Sequence, residues 1–119
     1  MYKKVRIGSA IVNAEIADSI FKKMKGLMGR KTLKESEGML FPFRNENYHK
    51  FSMLFMSIPI DIIFVNKNKK IVDIFQNVQP CFSISKNYTP KEKAKYVLEV
   101  KANFTKRHSI KIGSKVDFE

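Results

Sequence analysis

The sequence predicts a single α+β domain over residues 1–119, with a β-rich body, a mixed, barrel-like sheet and two covering helices. Three observations lead there. Short β-branched runs recur between turn residues along most of the chain. Only one long stretch, Ile20 to Met28, changes to helical spacing, and one short one, Phe104 to His108, follows a capping residue. At 119 residues, 44% hydrophobic and 29% charged, the chain has material for one core without disulfide staples.

Lys3–Arg6 and Ile7–Ile16 read as two small strands turning at Gly8-Ser9. Asp18 then offers a carboxylate to the free amides of a helix. Ile20, Phe21, Met24, Leu27 and Met28 recur every three or four residues among Lys22, Lys23 and Lys25, which predicts about three turns with an apolar face on the sheet. Gly29 is the expected left-handed stop. Gly38–Phe43 reads as a strand ending near Pro42, because proline has no amide hydrogen for a ladder. A polar loop, Arg44–Lys50, follows.

The longest apolar stretch runs from His49 to Val65. It reads as two strands, Phe51–Met56 and Ile60–Val65, bent at Ile58-Pro59. Asn66–Lys69 is a turn, and Lys70–Phe75 returns as the second arm of a hairpin. Gln76–Thr89 is an irregular connection long enough to act as a lid. Ala94–Val100 is a further strand, Asn103 caps the helix Phe104–His108, and Ile110–Phe118 ends as a turn and a strand.

The net charge is +12, spread evenly: eleven Lys/Arg against five acids in residues 1–60, and twelve against six in 61–119. No segment is a basic arm, and the arginines, the better base and phosphate readers, are only Arg6, Arg30, Arg44 and Arg107. This describes a lysine-coated surface, with nucleic-acid or other polyanion contact as an alternative reading. One cysteine, Cys81, gives no internal disulfide, and no secretory h-region or membrane-length apolar run is present. The expectation is a cytoplasmic protein.

Several blocks together resemble one family. They are Gly26-Leu27-Met28-Gly29-Arg30, Glu37–Phe43, Phe51-Ser52-Met53 with Ile58–Val65, Pro80-Cys81, Tyr96–Val100, and Ile110 with Gly113. In order and spacing they are similar to the DUF 192 family, also called UPF 0127, over about residues 10–118. The resemblance implies a small β-rich fold and no particular substrate. Many members carry Phe-Trp-Met-Lys-Asn-Thr where this chain has Phe51-Ser52-Met53-Leu54-Phe55-Met56, a run closer to the archaeal form. The usual Gly-Asp near the end is Gly113-Ser114 here.

Asp61 is the candidate that stands out, a carboxylate inside a strand that looks buried on both faces. Alternation places Ile60, Ile62 and Phe64 on one face and Asp61, Ile63 and Val65 on the other. A buried carboxylate needs a partner or stays protonated. Glu99 repeats the pattern within Val97–Val100, Arg30 is the candidate cation, and His49 stands at the entrance to the central stretch. Together they predict a ligand pocket lined by Arg30, His49, Met53, Asp61 and Glu99, walled also by Phe41 and Phe55, for a small molecule or peptide. The alternative is a structural ion pair between Arg30 and one carboxylate. A small hydrolase using Asp61 and His49 is a further reading and requires both at one cavity. His49, His108 and Cys81 have no metal-ligand spacing and no phosphate-binding glycine loop follows a strand, so neither metal nor cofactor is expected.

Overall fold

The computed structural model describes residues 1–83 and 86–118, an ellipsoid of 33 × 29 × 26 Å. Six strands form one sheet: β1 (Tyr2–Ile7), β2 (Ala10–Ile16), β3 (Glu37–Asn47), β4 (Ile60–Val65), β5 (Ile71–Val78) and β6 (Ala94–Lys101). The helices are α1 (Ile20–Lys25) and α2 (Phe104–Arg107). The spatial order is β1-β2-β3-β6-β4-β5. β2 and β3 run parallel and every other pair is antiparallel, so the sheet is mixed as expected.

Barrel closure is not seen. β1 and β5 remain edges, and the expected terminal strand is instead a strap that touches both. Asp117 exchanges two backbone hydrogen bonds with Arg6 on β1, each 2.8 Å. Gly113 and Val116 donate to Ile71 and Lys69, and Ile71 donates to Ser114. These contacts cover the edges without adding a strand to the ladder.

β4 lies between β5 and β6, and all six of its residues are buried. Its alternation falls as the sequence predicts. Ile63 and Val65 join a core with Val5, Val12, Leu98 and Phe104. Ile60, Ile62 and Phe64 join a second core with Phe41, Met53, Met56 and Val97 on the opposite face. Gly38 lets β3 lie close to β6: a Cβ there would stand 2.7 Å from the Glu99 carbonyl oxygen, nearer than packing allows.

Four sequence expectations change. β3 does not stop at Pro42 but continues to Asn47, with its pairing to β6 shifted beyond the proline, an irregularity that accommodates the missing donor. Residues 51–56 are not a strand. Phe51 makes one bridge with Tyr88, and a turn then drops Met53 and Met56 into the core while Phe55, at φ 64°, faces solvent. Helix α1 is six residues long, buries none of them and ends at Gly26; its N-cap is Ser19, whose hydroxyl accepts from the Lys22 amide at 3.1 Å, while Asp18 pairs with the Lys22 ammonium. Helix α2 forms as expected, but the Asn103 side chain does not cap it. Of the connection expected over Gln76–Thr89, Gln76–Val78 belong to β5 and Tyr88 is bridged to Phe51, while Gln79–Ser83 are irregular as expected and Ile84 and Ser85 lie outside the described residues.

Candidate functional site

The two buried carboxylates do not share a site. Register places Asp61 opposite Val100 and Ile62 opposite Glu99. Neighbouring residues on adjacent strands point the same way, so this one-residue offset sends Asp61 and Glu99 to opposite faces of the sheet.

Asp61 has no exposure and is fully engaged. Oδ1 accepts from the backbone amides of Asn77 and Asn103, both at 2.8 Å. Oδ2 accepts from the Thr105 amide at 2.9 Å and the Thr105 hydroxyl at 2.7 Å. Gln76 Nε2 completes the network by donating to that hydroxyl. Asp61 therefore supplies from β4 the cap that Asn103 withholds, satisfying the free amides at the start of α2. It also anchors two residues held at positive φ, Asn77 (48°) and Asn103 (67°). This is a structural carboxylate whose partners are backbone amides and a hydroxyl, with no cation needed.

Arg30 does not reach either carboxylate. Its guanidinium binds Glu15 at 2.7 Å on a surface flank of α1. Met53, at 1% exposure, is core. His49 Nε2 lies 3.0 Å from the Asn45 carbonyl oxygen, which places a proton on that nitrogen, and its ring stacks on Phe43 with centroids 3.8 Å apart. With His49 on that side and Asp61 sealed on the other, the arrangement required of an Asp61–His49 hydrolase is absent.

Glu99 behaves differently. It lies on the face carrying Val97, and its cross-strand neighbours there are Met39 and Ile62. The residue is 4% exposed. Among the described residues no donor reaches its carboxyl group, and burial alone pushes its pKa up to about 8. Desolvation penalises the ionised form, so Glu99 is mostly a neutral acid at pH 7, able to donate one hydrogen bond and accept others.

That carboxyl opens onto a cleft of about 480 Å³. Its walls are Met24 and Leu27 on the α1 side, and Phe51, Phe55 and Met56 on the turn before β4. Phe41 and Phe51 meet edge to face at 4.9 Å and form the aromatic back wall. Gly26, at φ 50°, passes over Glu99: a Cβ there would lie 3.8 Å from Oε1 and 3.5 Å from the Phe41 ring. Lys23, Lys25, Lys50 and His49 stand among the lining residues. The cleft is thus apolar inside, cationic at the rim, and acidic at one buried point. Of the five residues expected to make a pocket, it brings together His49 and Glu99. Among the described residues no group of three or more His, Cys, Asp or Glu side chains is placed to hold a metal ion.

Sequence does not separate the two acids: each lies in a strand apolar on both faces, and Asn103 and Thr105, which satisfy Asp61, stand nearer to Glu99 along the chain.

A family model described as an uncharacterized group, DUF 192, matches residues 3–118. The chain belongs to the DUF 192 family. Relatives bearing the UPF 0127 label include one from Pyrococcus abyssi, 33% identical over 87% of this chain and 84% of its own. Another, from Thermococcus sibiricus, is 29% identical over 88% of this chain, which spans 65% of that relative's length. These archaeal relatives agree with the archaeal form read from the central run. The fold recurs in a Novosphingobium aromaticivorans protein of unknown function, with TM-score 0.87, 29% identity and coverage of 98% of this chain and 84% of that one. It recurs also in a Sinorhizobium meliloti protein described as a candidate transcription regulator, with TM-score 0.88, 25% identity and coverage of 98% and 92%. As a DUF 192 member the chain has a known fold and a family whose activity is uncharacterised. Among the described residues no helix is long and apolar enough to cross a membrane.

Proposed function

We propose that this protein is a non-enzymatic binding domain and that its site is the cleft ending at Glu99. The observation that carries this reading is a buried residue, Glu99, whose carboxyl group has no hydrogen-bond partner among the described residues and opens into an apolar space of about 480 Å³. Ligand pockets combine such walls with a few polar groups that fix orientation. A neutral acid in apolar surroundings selects a molecule that is mostly hydrophobic and carries a carbonyl or carboxylate acceptor. A cationic ligand is disfavoured by the lysines at the rim. This reading moves the proposed pocket to Glu99 and His49, away from Asp61 and Arg30. A cytoplasmic setting, in keeping with the lone Cys81, belongs to this reading.

Thermal-shift and calorimetric screening with matched hydrophobic carboxylic acids, amides and amines tests it. Acids and amides are expected to stabilise the protein more than amines, and Glu99→Gln to change that ranking. An absence of stabilisation by every class would sink the reading.

A second reading, polyanion contact, is supported by Tyr2, Lys3, Lys4 and Arg6 around a surface depression at the β1 edge, with Asp117 as the acid there. It predicts nucleic-acid affinity that falls steeply with added salt. No binding at low salt would end it.

A further inference from the structure

The apolar side of α1 faces neither core. Ile20, Phe21 and Met24 are 78%, 74% and 71% exposed, and Phe55 is 63% exposed. Ile20, Met24 and Phe55 stand around the mouth of the Glu99 cleft, while Phe21 projects over the other flank of α1, beside Met28. Phe55 holds a left-handed conformation that is unfavourable for an aromatic residue, yet presents its ring to water. Single exposed apolar residues are ordinary, whereas a cluster on one rim marks an interaction surface.

The charge around this cluster is mostly positive. Lys22, Lys23 and Lys25 alternate with the apolar residues of α1, and Lys50 stands across the cleft. The acids lining the two flanks of α1 are Glu99, which is buried, and Glu15, which is held by Arg30. Asp18, at the helix start, pairs with Lys22 at 3.5 Å.

We propose that this face docks on an anionic lipid surface. Ile20, Phe21, Met24 and Phe55 enter the acyl boundary, and Lys22, Lys23, Lys25 and Lys50 lie among the head groups. Apolar side chains interleaved with lysines are what binding in the interfacial plane requires. The cation type favours lipid over a protein partner. Specific protein interfaces are depleted in lysine and enriched in arginine, whose planar fork fixes geometry, whereas a lipid surface rewards flexible point charges. A second copy of the chain would set the same lysines face to face. The docked orientation also turns the cleft mouth toward the bilayer, so a hydrophobic molecule could pass between the lipid and Glu99 with little exposure to water.

The test is co-sedimentation of the full chain with phosphatidylcholine vesicles containing or lacking phosphatidylglycerol. Binding is expected to the anionic vesicles alone and to weaken with salt. Lys23→Gln and Lys25→Gln should each lower the partition coefficient about five-fold. Phe21→Ser combined with Phe55→Ser should lower it more than ten-fold. Phe21, Lys25 and Phe55 are exposed, whereas Lys23 is half-buried with its ammonium 5.3 Å from the Phe43 ring centroid, so circular dichroism and melting of each variant will show that it folds. Glu99→Gln should bind vesicles as the parent does, which separates this proposal from the cleft reading. Three results overturn it: no binding to anionic vesicles at low salt; binding that needs the lysines but is indifferent to Phe21 and Phe55; or self-association through the same residues in place of vesicle binding.

Discussion

Glu99→Gln is expected to stabilise the protein, and to do so by an amount that depends on pH. In the unfolded chain this carboxyl ionises near its ordinary value of 4.5, whereas in the fold burial holds the proton until about pH 8. Between those values the native state binds one proton more than the unfolded state, so stability falls as pH rises. Below pH 4.5 both states are protonated and the penalty vanishes; above about pH 8 both are ionised and it is fully present. At 1.36 kcal/mol per pH unit the limit over that window is roughly 5 kcal/mol, and structural relaxation around the charge lowers the realised value to about 2–4 kcal/mol. Glutamine keeps the shape, has no ionisable proton and offers an amide N–H2 in place of the acid's O–H. Urea unfolding of parent and variant at intervals from about pH 4 to 9 provides the assay. The difference in unfolding free energy should grow across the window and level off above it. Other titrating groups cancel in that difference to the extent that they do not couple with residue 99. Parallel pH profiles would refute the reasoning, since they would mean that Glu99 ionises normally and that water or a donor already reaches it. A stabilising substitution at a buried polar residue is also what a binding site, as opposed to a structural one, predicts.

Asp61 should respond in the opposite sense. Asp61→Ala removes four hydrogen bonds and leaves three backbone amides and a hydroxyl unpaired in the interior, costing about 3–5 kcal/mol in urea unfolding; a loss below about 1 kcal/mol would show that α2 starts without this cap. Gly38→Ala should destabilise by about 1–3 kcal/mol, because the added Cβ would meet backbone at 2.7 Å and a Val12 side-chain carbon at 2.9 Å. A neutral result from denaturant titration would mean that β3 can shift away from β6.

Much of the sheet was legible because its strands are β-branched, alternating and separated by turn residues. The β4–β5 hairpin and the division of Ile60, Ile62 and Phe64 from Ile63 and Val65 follow from a period of two along one strand. What failed depends on relations between segments. Asp61 and Glu99 look alike in sequence, and only the register between β4 and β6 tells that they face opposite ways. Residues 51–56 are apolar enough for a strand, but Met53 and Met56 are buried at a spacing of three, which a turn provides and a pleat does not. The spacing of Ile20, Phe21 and Met24 correctly signalled a helix, yet periodicity cannot say whether an apolar stripe faces the core or leaves it. Side-chain type alone also misassigned two caps, Asp18 in place of Ser19 and Asn103 in place of Asp61, because side-chain chemistry is visible in sequence and backbone geometry is not.

The strap at residues 113–117 ties the first strand to the turn beside the fifth, and so governs when the fold can be finished. During synthesis β1 and β2 emerge early and can pair as a local hairpin, while β4 and β5 wait for β6 before joining that half of the sheet. The outer edges stay untied until Asp117 meets Arg6. A chain cut short after α2 would therefore have all six strands made and neither edge tied by the strap, the condition in which strands recruit neighbours. The interval before the strap docks is the one in which this fold most needs either speed or a chaperone.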